Sequence, residues 1–178
     1  MRIVIDPEAA ERGIRRIAGA IVERARGAGD VCLVGIRRGG EPIARRLALA
    51  IEQLEGQKVP LGLLDIALYR DDAATALPAP RLGRSEIPFA VEGRRVVLVD
   101  DVLFTGRTVR AAVDALLDYG RPRTIELAVL VDRGGRELPI QADYAVRAVE
   151  VGVGERVDVA ETEAGLQAVV LAQGEPTS

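Results

Sequence analysis

Asp100 and Asp101 stand side by side at the end of the apolar run "RVVLVDD", and "VLFTGRT" carries the chain on into a helical pattern. Neighbouring carboxylates repel each other, so the pair calls for hydroxyl donors or a cation. A helix N-terminus presents free N–H groups and the positive end of the aligned peptide dipoles, the two features that bind phosphate. Gly106 permits the turn, Thr105 and Thr108 add hydroxyls, and Arg107 adds charge. Together these residues form a phosphate cradle with two carboxylates beside it. A ribose 5-phosphate suits the arrangement, with phosphate in the cradle and its 2- and 3-hydroxyls on the aspartates. Helix capping alone would need only one carboxylate. Neither the GxxxxGK[ST] spacing of a P-loop nor GxGxxG is present.

Composition narrows the chemistry. The 178 residues include no histidine and a single cysteine. This removes Ser-His-Asp and Cys-His catalysis and any ordinary structural zinc site. Carboxylates, arginines, hydroxyls, backbone amides or an oxygen-seeking metal must do the work. Cys32, within "VCLVGI", reads as a small core residue. Hydrophobic residues make up 48%, which excludes general disorder, and the length suits one domain spanning residues 1–178. No apolar run approaches the ~18 residues of a membrane span. The start "MRIVIDPEAAERG" lacks a signal-peptide core, so the protein is expected in the cytoplasm with no membrane partner. Net charge is −3, yet every basic residue but Lys58 is an arginine, the forked binder of phosphate and carboxylate. Genomic base composition or thermophily would explain that bias equally well.

The elements that must position these groups alternate between strand and helix. Asp6 caps and Pro7 begins a first helix, with Ile14, Ile17, Ala18, Ile21 and Ala25 on its buried stripe. Arg12, Arg15, Arg16 and Arg26 gather on the opposite face with Glu23; a solvated face is the ordinary reading of such a run. "VCLVGI" (31–36) is a doubly covered strand, followed by a helix with Pro42 near its start and Gly56 past its end. Residues 59–69 read as the next strand. Residues 70–88, rich in Pro, Ala and charge, read as a mobile loop. "RRVVLVDDV" is a third strand, Gly106 to Tyr119 a helix with Val109, Ala112, Val113, Leu116 and Leu117 inward, and "TIELAVLVD" a fourth strand. Short β-like runs follow, ending in a frayed tail at 173–178. The alternation predicts an α/β fold, a mainly parallel sheet flanked by helices with a small C-terminal β extension. Ligands bind at the carboxyl ends of such strands. There "GIRRGGEP", "VDDVLFTGRT" and "VDRGGRELP" should converge.

"VVLVDDVLFTGRT" resembles the thirteen-residue phosphoribosyl-pyrophosphate (PRPP) motif of type I phosphoribosyltransferases. Joined to "CLVGIRRGG", "DIALYRDD", "YGRP" and "LAVLVDRGGRELPIQADY", it makes the chain similar to the PyrR family, regulators of the pyr operon that are also uracil phosphoribosyltransferases. The resemblance implies the type I phosphoribosyltransferase fold and the reaction of uracil with PRPP to give UMP and pyrophosphate. It implies that Asp100 and Asp101 hold the ribose hydroxyls and that Val102, Leu103, Phe104, Thr105, Gly106, Arg107 and Thr108 surround the nucleotide. Arg37, Arg38 and Gly39 then form the pyrophosphate loop, which in relatives can contain a non-proline cis peptide. Arg70 would act from the mobile loop, and Val131, Asp132 and Arg133 would face the base. Mg²⁺ is the implied cofactor, held through the substrate and by Asp100 and Asp101. Purine enzymes of the superfamily generally carry Asp where Phe104 stands, which argues for a pyrimidine.

The same resemblance implies binding of the pyr mRNA leader under control of UMP or UTP, promoting transcription attenuation, and a homodimer that assembles into tetramers or hexamers. Arg12, Arg15, Arg16, Arg26, Arg136 and Arg147 are then the candidates for RNA phosphates. Gly19, Gly135 and Gln141 depart from the His, His and Arg often found there. Two other readings stay open: a nucleotide-sensing regulator with negligible turnover, and a salvage enzyme that binds no RNA.

Overall fold

A computed structural model describes residues 1–69 and 84–174. Its order is β1 (Arg2–Ile5), α1 (Pro7–Ala25), β2 (Val31–Ile36), α2 (Gly40–Glu55), β3 (Leu61–Leu64), β4 (Arg95–Leu103), α3 (Arg107–Leu117), β5 (Thr124–Asp132), β6 (Tyr144–Ala148), β7 (Glu155–Thr162) and β8 (Gly165–Ala172). A parallel five-stranded sheet runs β3-β2-β4-β5-β6, and an antiparallel three-stranded sheet runs β1-β8-β7.

Alternation along the central strands explains why the apolar runs are continuous. Leu33, Val97, Val99, Ala128 and Leu130 point into a core shared with α1, α2 and β8. Their neighbours Cys32, Val34, Val96, Leu98, Leu127 and Val129 point into a second core under α3. Both faces are covered, so no position in β2 is polar. Helix α1 begins where Asp6 Oδ1 accepts from the Ala9 N–H at 2.7 Å, and its Ile14, Ile17 and Ile21 are at most 4% exposed. Each such side chain contributes on the order of 1.5–3 kcal/mol.

Gly13 lets α1 lie against β6, because a Cβ there would overlap Val146, with Cγ2 at 2.8 Å. Val146 is β-branched and cannot swing aside. Gly13→Ala is therefore expected to lower Tm by several degrees despite the better helix propensity of alanine, since overpacking costs ~1–3 kcal/mol. Adding Val146→Ala should restore most of the stability in the same calorimetric scan.

Several expectations shift. Strand β1 lies outside the elements the sequence pattern marks; it pairs with β8, at the far end of the chain. β3 is shorter than 59–69, because Asp65 Oδ1 accepts from the Ala67 N–H at 2.9 Å and Tyr69 N donates to Ile66 O, turning the chain out of the sheet. β6 joins the central sheet rather than the extension. Leu117, expected inward, is 49% exposed, while Ala111 and Ala115 fill the core side of α3. Of the expected loop 70–88, residues 70–83 lie outside the described residues, and so does the end of the tail. Glu86 within that stretch forms a β-bridge with Leu63. Among the described residues no helix is long and apolar enough to cross a membrane.

The carboxylate of Glu126, buried on β5, is engaged on both oxygens. Glu126, 4% exposed, accepts from Tyr144 Oη at 2.8 Å and Arg95 Nη1 at 3.1 Å and pairs with Arg24 Nε at 3.3 Å. Burial and the bond to Glu126 push the Tyr144 phenol up to about 12.

Candidate active site

The switch point of the central sheet lies between β2 and β4, where consecutive connections leave in opposite directions. Gly35 pairs with Val99 there, so the chain beyond each strand opens onto one crevice. From β2 comes the loop Arg37–Gly39, with a cis peptide between Arg37 and Arg38 as the resemblance implies. Arg37 N donates to Leu64 O at 2.9 Å, and its Nη2 lies 3.6 Å from Glu86 Oε1. From β4 come Asp100, 6% exposed, and the half-buried Asp101. Asp100 Oδ1 accepts from Asp101 N at 2.9 Å, and Asp101 Oδ1 from Val102 N at 2.7 Å.

The two loops touch. A Cβ on Gly39 would overlap the Asp101 carboxylate, and one on Gly40 would overlap the Val99 carbonyl oxygen. Glycine is needed at both positions for space. The backbone of Gly39 is ordinary right-handed helix, with φ −61° and ψ −31°.

Beyond Asp101 the chain turns through Gly106, whose φ of 92° favours glycine, into α3. The N-cap residue, Gly106, brings no side chain to this helix end, and Thr105 Oγ1 accepts a 3.3 Å bond from Arg107 N. The first turn therefore offers N–H groups and hydroxyls to an anion, as the sequence suggests. Arg107 is shared with Glu137, Nε to Oε2 at 3.5 Å.

The third strand end, β5, supplies Val131, fully buried, then Asp132 and Arg133. The crossover from there to β6 contains no helix and is stitched to the phosphate turn instead. Arg133 N donates to Leu103 O at 3.1 Å, and Glu137 N and Leu138 N donate to Thr105 O at 2.9 and 3.2 Å. Arg133 lays its guanidinium 3.8 Å from the Phe104 ring centroid, a cation–π contact. Its Nη1 reaches the Glu155 carbonyl at 3.5 Å, tying the crossover to β7. Gly135 has room only for hydrogen, because a Cβ would overlap the same ring. Burial opposes ionisation of Asp132, but bonds from Arg136 and the Gly134 N–H, with the guanidinium charge, hold its carboxyl below the usual range. A cleft of ≈500 Å³ beside this loop is lined by Asp132, Arg133, Arg136, Gln141 and Val149 among others.

The anticipated site residues thus fall at three adjoining strand ends, while Arg70 lies outside the described residues. Of the arginines assigned to RNA by resemblance, Arg12, Arg16 and Arg147 line a second cleft of ≈260 Å³ between α1 and β6. Arg16 Nη2 donates to Val146 O at 2.9 Å and Arg147 Nη1 to Val4 O at 2.5 Å; Arg12 pairs with Glu8 at 2.7 Å. Arg15 is exposed on the same helix. Arg26 ends α1 in a left-handed conformation. Arg136 is turned inward, into the crossover. Sequence reasoning passes over Glu86, which is too far along the chain from its partner Arg37 to leave a local pattern.

Comparison with known proteins identifies the family and the fold. The phosphoribosyl transferase domain family matches residues 4–162. A bifunctional protein PyrR from Pelotomaculum thermopropionicum is 54% identical over 156 residues, covering 88% of this chain and 86% of that protein. Another from a Roseiflexus species is 51% identical over 177 residues, covering 98% and 97%. Among solved structures, a hypoxanthine phosphoribosyltransferase of Trypanosoma cruzi superposes with a TM-score of 0.72, 20% identity and 97% of each chain covered. That likeness shows the fold.

Proposed function

The chain belongs to the phosphoribosyl transferase domain family and, within it, to the bifunctional PyrR proteins; from that membership we propose that it transfers the phosphoribosyl group of PRPP to uracil and regulates pyrimidine synthesis through pyr mRNA. The close approach of Gly39 to Asp101 carries the catalytic half. It sets a loop bearing Arg37 and Arg38 against the carboxylates meant for ribose, an arrangement that supports pyrophosphate leaving from that sugar.

The α3 N-terminus with Thr105 and Thr108 holds the 5-phosphate. Asp100 and Asp101 accept from the ribose hydroxyls and stabilise the positive charge that develops at C1 as its bond to pyrophosphate lengthens. Arg37 and Arg38 take up charge on the departing pyrophosphate, and Arg70 is assigned to close over PRPP. Backbone groups of Val131 to Arg133 face the base, and uracil nitrogen attacks C1. Two adjacent carboxylates fit a hard cation held largely by substrate oxygens. Mg²⁺, when bound by PRPP and these aspartates, supplies further charge neutralisation to the pyrophosphate. The test is product formation from PRPP and Mg²⁺ with uracil, guanine, hypoxanthine and orotate offered in parallel. UMP from uracil alone is expected. Absence of product with every base, from protein that binds UMP, would leave the pocket a sensor and overturn the enzymatic half.

The cleft lined by Arg12, Arg16 and Arg147 is the proposed RNA face, in a cytoplasmic homodimer. Arg12→Gln combined with Arg147→Gln should weaken retention of pyr leader RNA. Its salt dependence should flatten by about one unit of slope for each phosphate no longer held. A filter-binding series across salt concentrations reads both, and an unchanged slope would remove these residues from the interface.

A further inference from the structure

The crossover from β5 to β6 has no helix to hold it, and one side chain gathers it. Arg136, 16% exposed, donates from Nε to the Ile140 carbonyl at 2.7 Å and from Nη1 to the Phe104 carbonyl at 3.0 Å. Its Nη2 donates to Asp132 Oδ2 at 2.6 Å and to Gln141 Oε1 at 3.0 Å. Four of the five guanidinium N–H groups are thereby used within the protein. The acceptors come from three places: the entry to the phosphate turn, the end of β5, and the far limb of the crossover.

We propose that Arg136 is a positioning residue for the base half of the site: it locks the Phe104 main chain to the Asp132 carboxylate, fixing the base edge at Val131–Arg133 relative to the phosphate cradle. This rests on the nucleotide reading of the site given above. It assigns Arg136 a role inside the protein, since a guanidinium with four internal acceptors has one N–H left for an RNA phosphate. Three further contacts make the joint stiff: the two Thr105 carbonyl bonds and the seat of the Phe104 ring between Arg133 and Gly135. Arg136 bridges both sides through one rigid fork, a geometry that a lysine ammonium cannot reproduce.

The test separates base from phosphate. UMP and ribose 5-phosphate are titrated calorimetrically into wild type, Arg136→Lys and Arg136→Gln, alongside steady-state kinetics with uracil and PRPP. UMP affinity should fall about ten-fold or more in both variants, as for loss of charged hydrogen bonds. Ribose 5-phosphate affinity should hold, and KM should rise for uracil while staying put for PRPP. A loss shared equally by both ligands, or no loss in a folded variant, overturns the proposal. If neither Arg136 variant folds, Asp132→Asn, which keeps an acceptor but removes its charge, must show the same UMP-selective loss or the proposal fails. A wild-type protein that binds UMP no better than ribose 5-phosphate would instead overturn the base site itself, and the proposal with it.

Discussion

Converting Asp100 and Asp101 together to asparagine is expected to lower kcat/KM for UMP synthesis by at least about 10³-fold, taking each charge near the reacting carbon as worth ~10²–10³. The substitution is informative because it leaves two backbone N–H groups their acceptors. Asp101 N needs only the Oδ1 of residue 100, and Val102 N only the Oδ1 of residue 101; asparagine supplies both. What disappears is the negative charge in a crevice where Asp100 is nearly shut off from water. There it is worth more than at the surface, because the effective dielectric is lower. Thermal scans of the variant should show a folded protein, since both of these backbone bonds keep an acceptor. Normal turnover by the double variant would show that the ribose is held elsewhere.

Gly39→Ala is the second large effect, and a methyl group should cost about 10²-fold in kcat/KM, the penalty of an ~1 Å misplacement at a reacting centre. The backbone at Gly39 suits alanine, so propensity predicts no harm. The added carbon would overlap the Asp101 carboxylate, with Oδ1 at 2.9 Å. A side chain can swing away, so Tm should move little while activity collapses. Gly40→Ala gives the contrast. Its Cβ would overlap the Val99 carbonyl oxygen, with Val99 C at 2.9 Å, and backbone inside a sheet cannot swing away. There the loss should appear in stability, ~1–3 kcal/mol or more. Measuring Tm and turnover on both variants separates the two, and equal destabilisation would remove the special role of Asp101 in positioning the loop.

The parts of the fold that read most easily are those with local causes. The apolar run Val31–Ile36 is β2 residue for residue, and the Asp6-Pro7 pair marks the start of α1. The PRPP-like turn also carries its own chemistry. What stays hidden depends on distant partners. "RIVI" is strand only because β8 returns to it, and nothing in four residues announces that. Residues 65–69 are apolar enough to extend β3, yet the Asp65 side chain turns the chain away. Arg136 reads as one more surface cation because a sequence shows its charge and not its four acceptors.

The pairing of β1 with β8 also sets an order in time. On a growing chain, residues 31–148 can assemble all five strands of the central sheet. The smaller sheet must wait until residues 165–172 have been synthesised to meet residues 2–5. Arg133 reaches for the carbonyl of Glu155, so the base side of the crevice lacks that tie until the start of β7 exists. A nascent protein would thus complete the turn at Gly106 before the β5–β6 crossover gains its tie to β7, and the smaller sheet would close last.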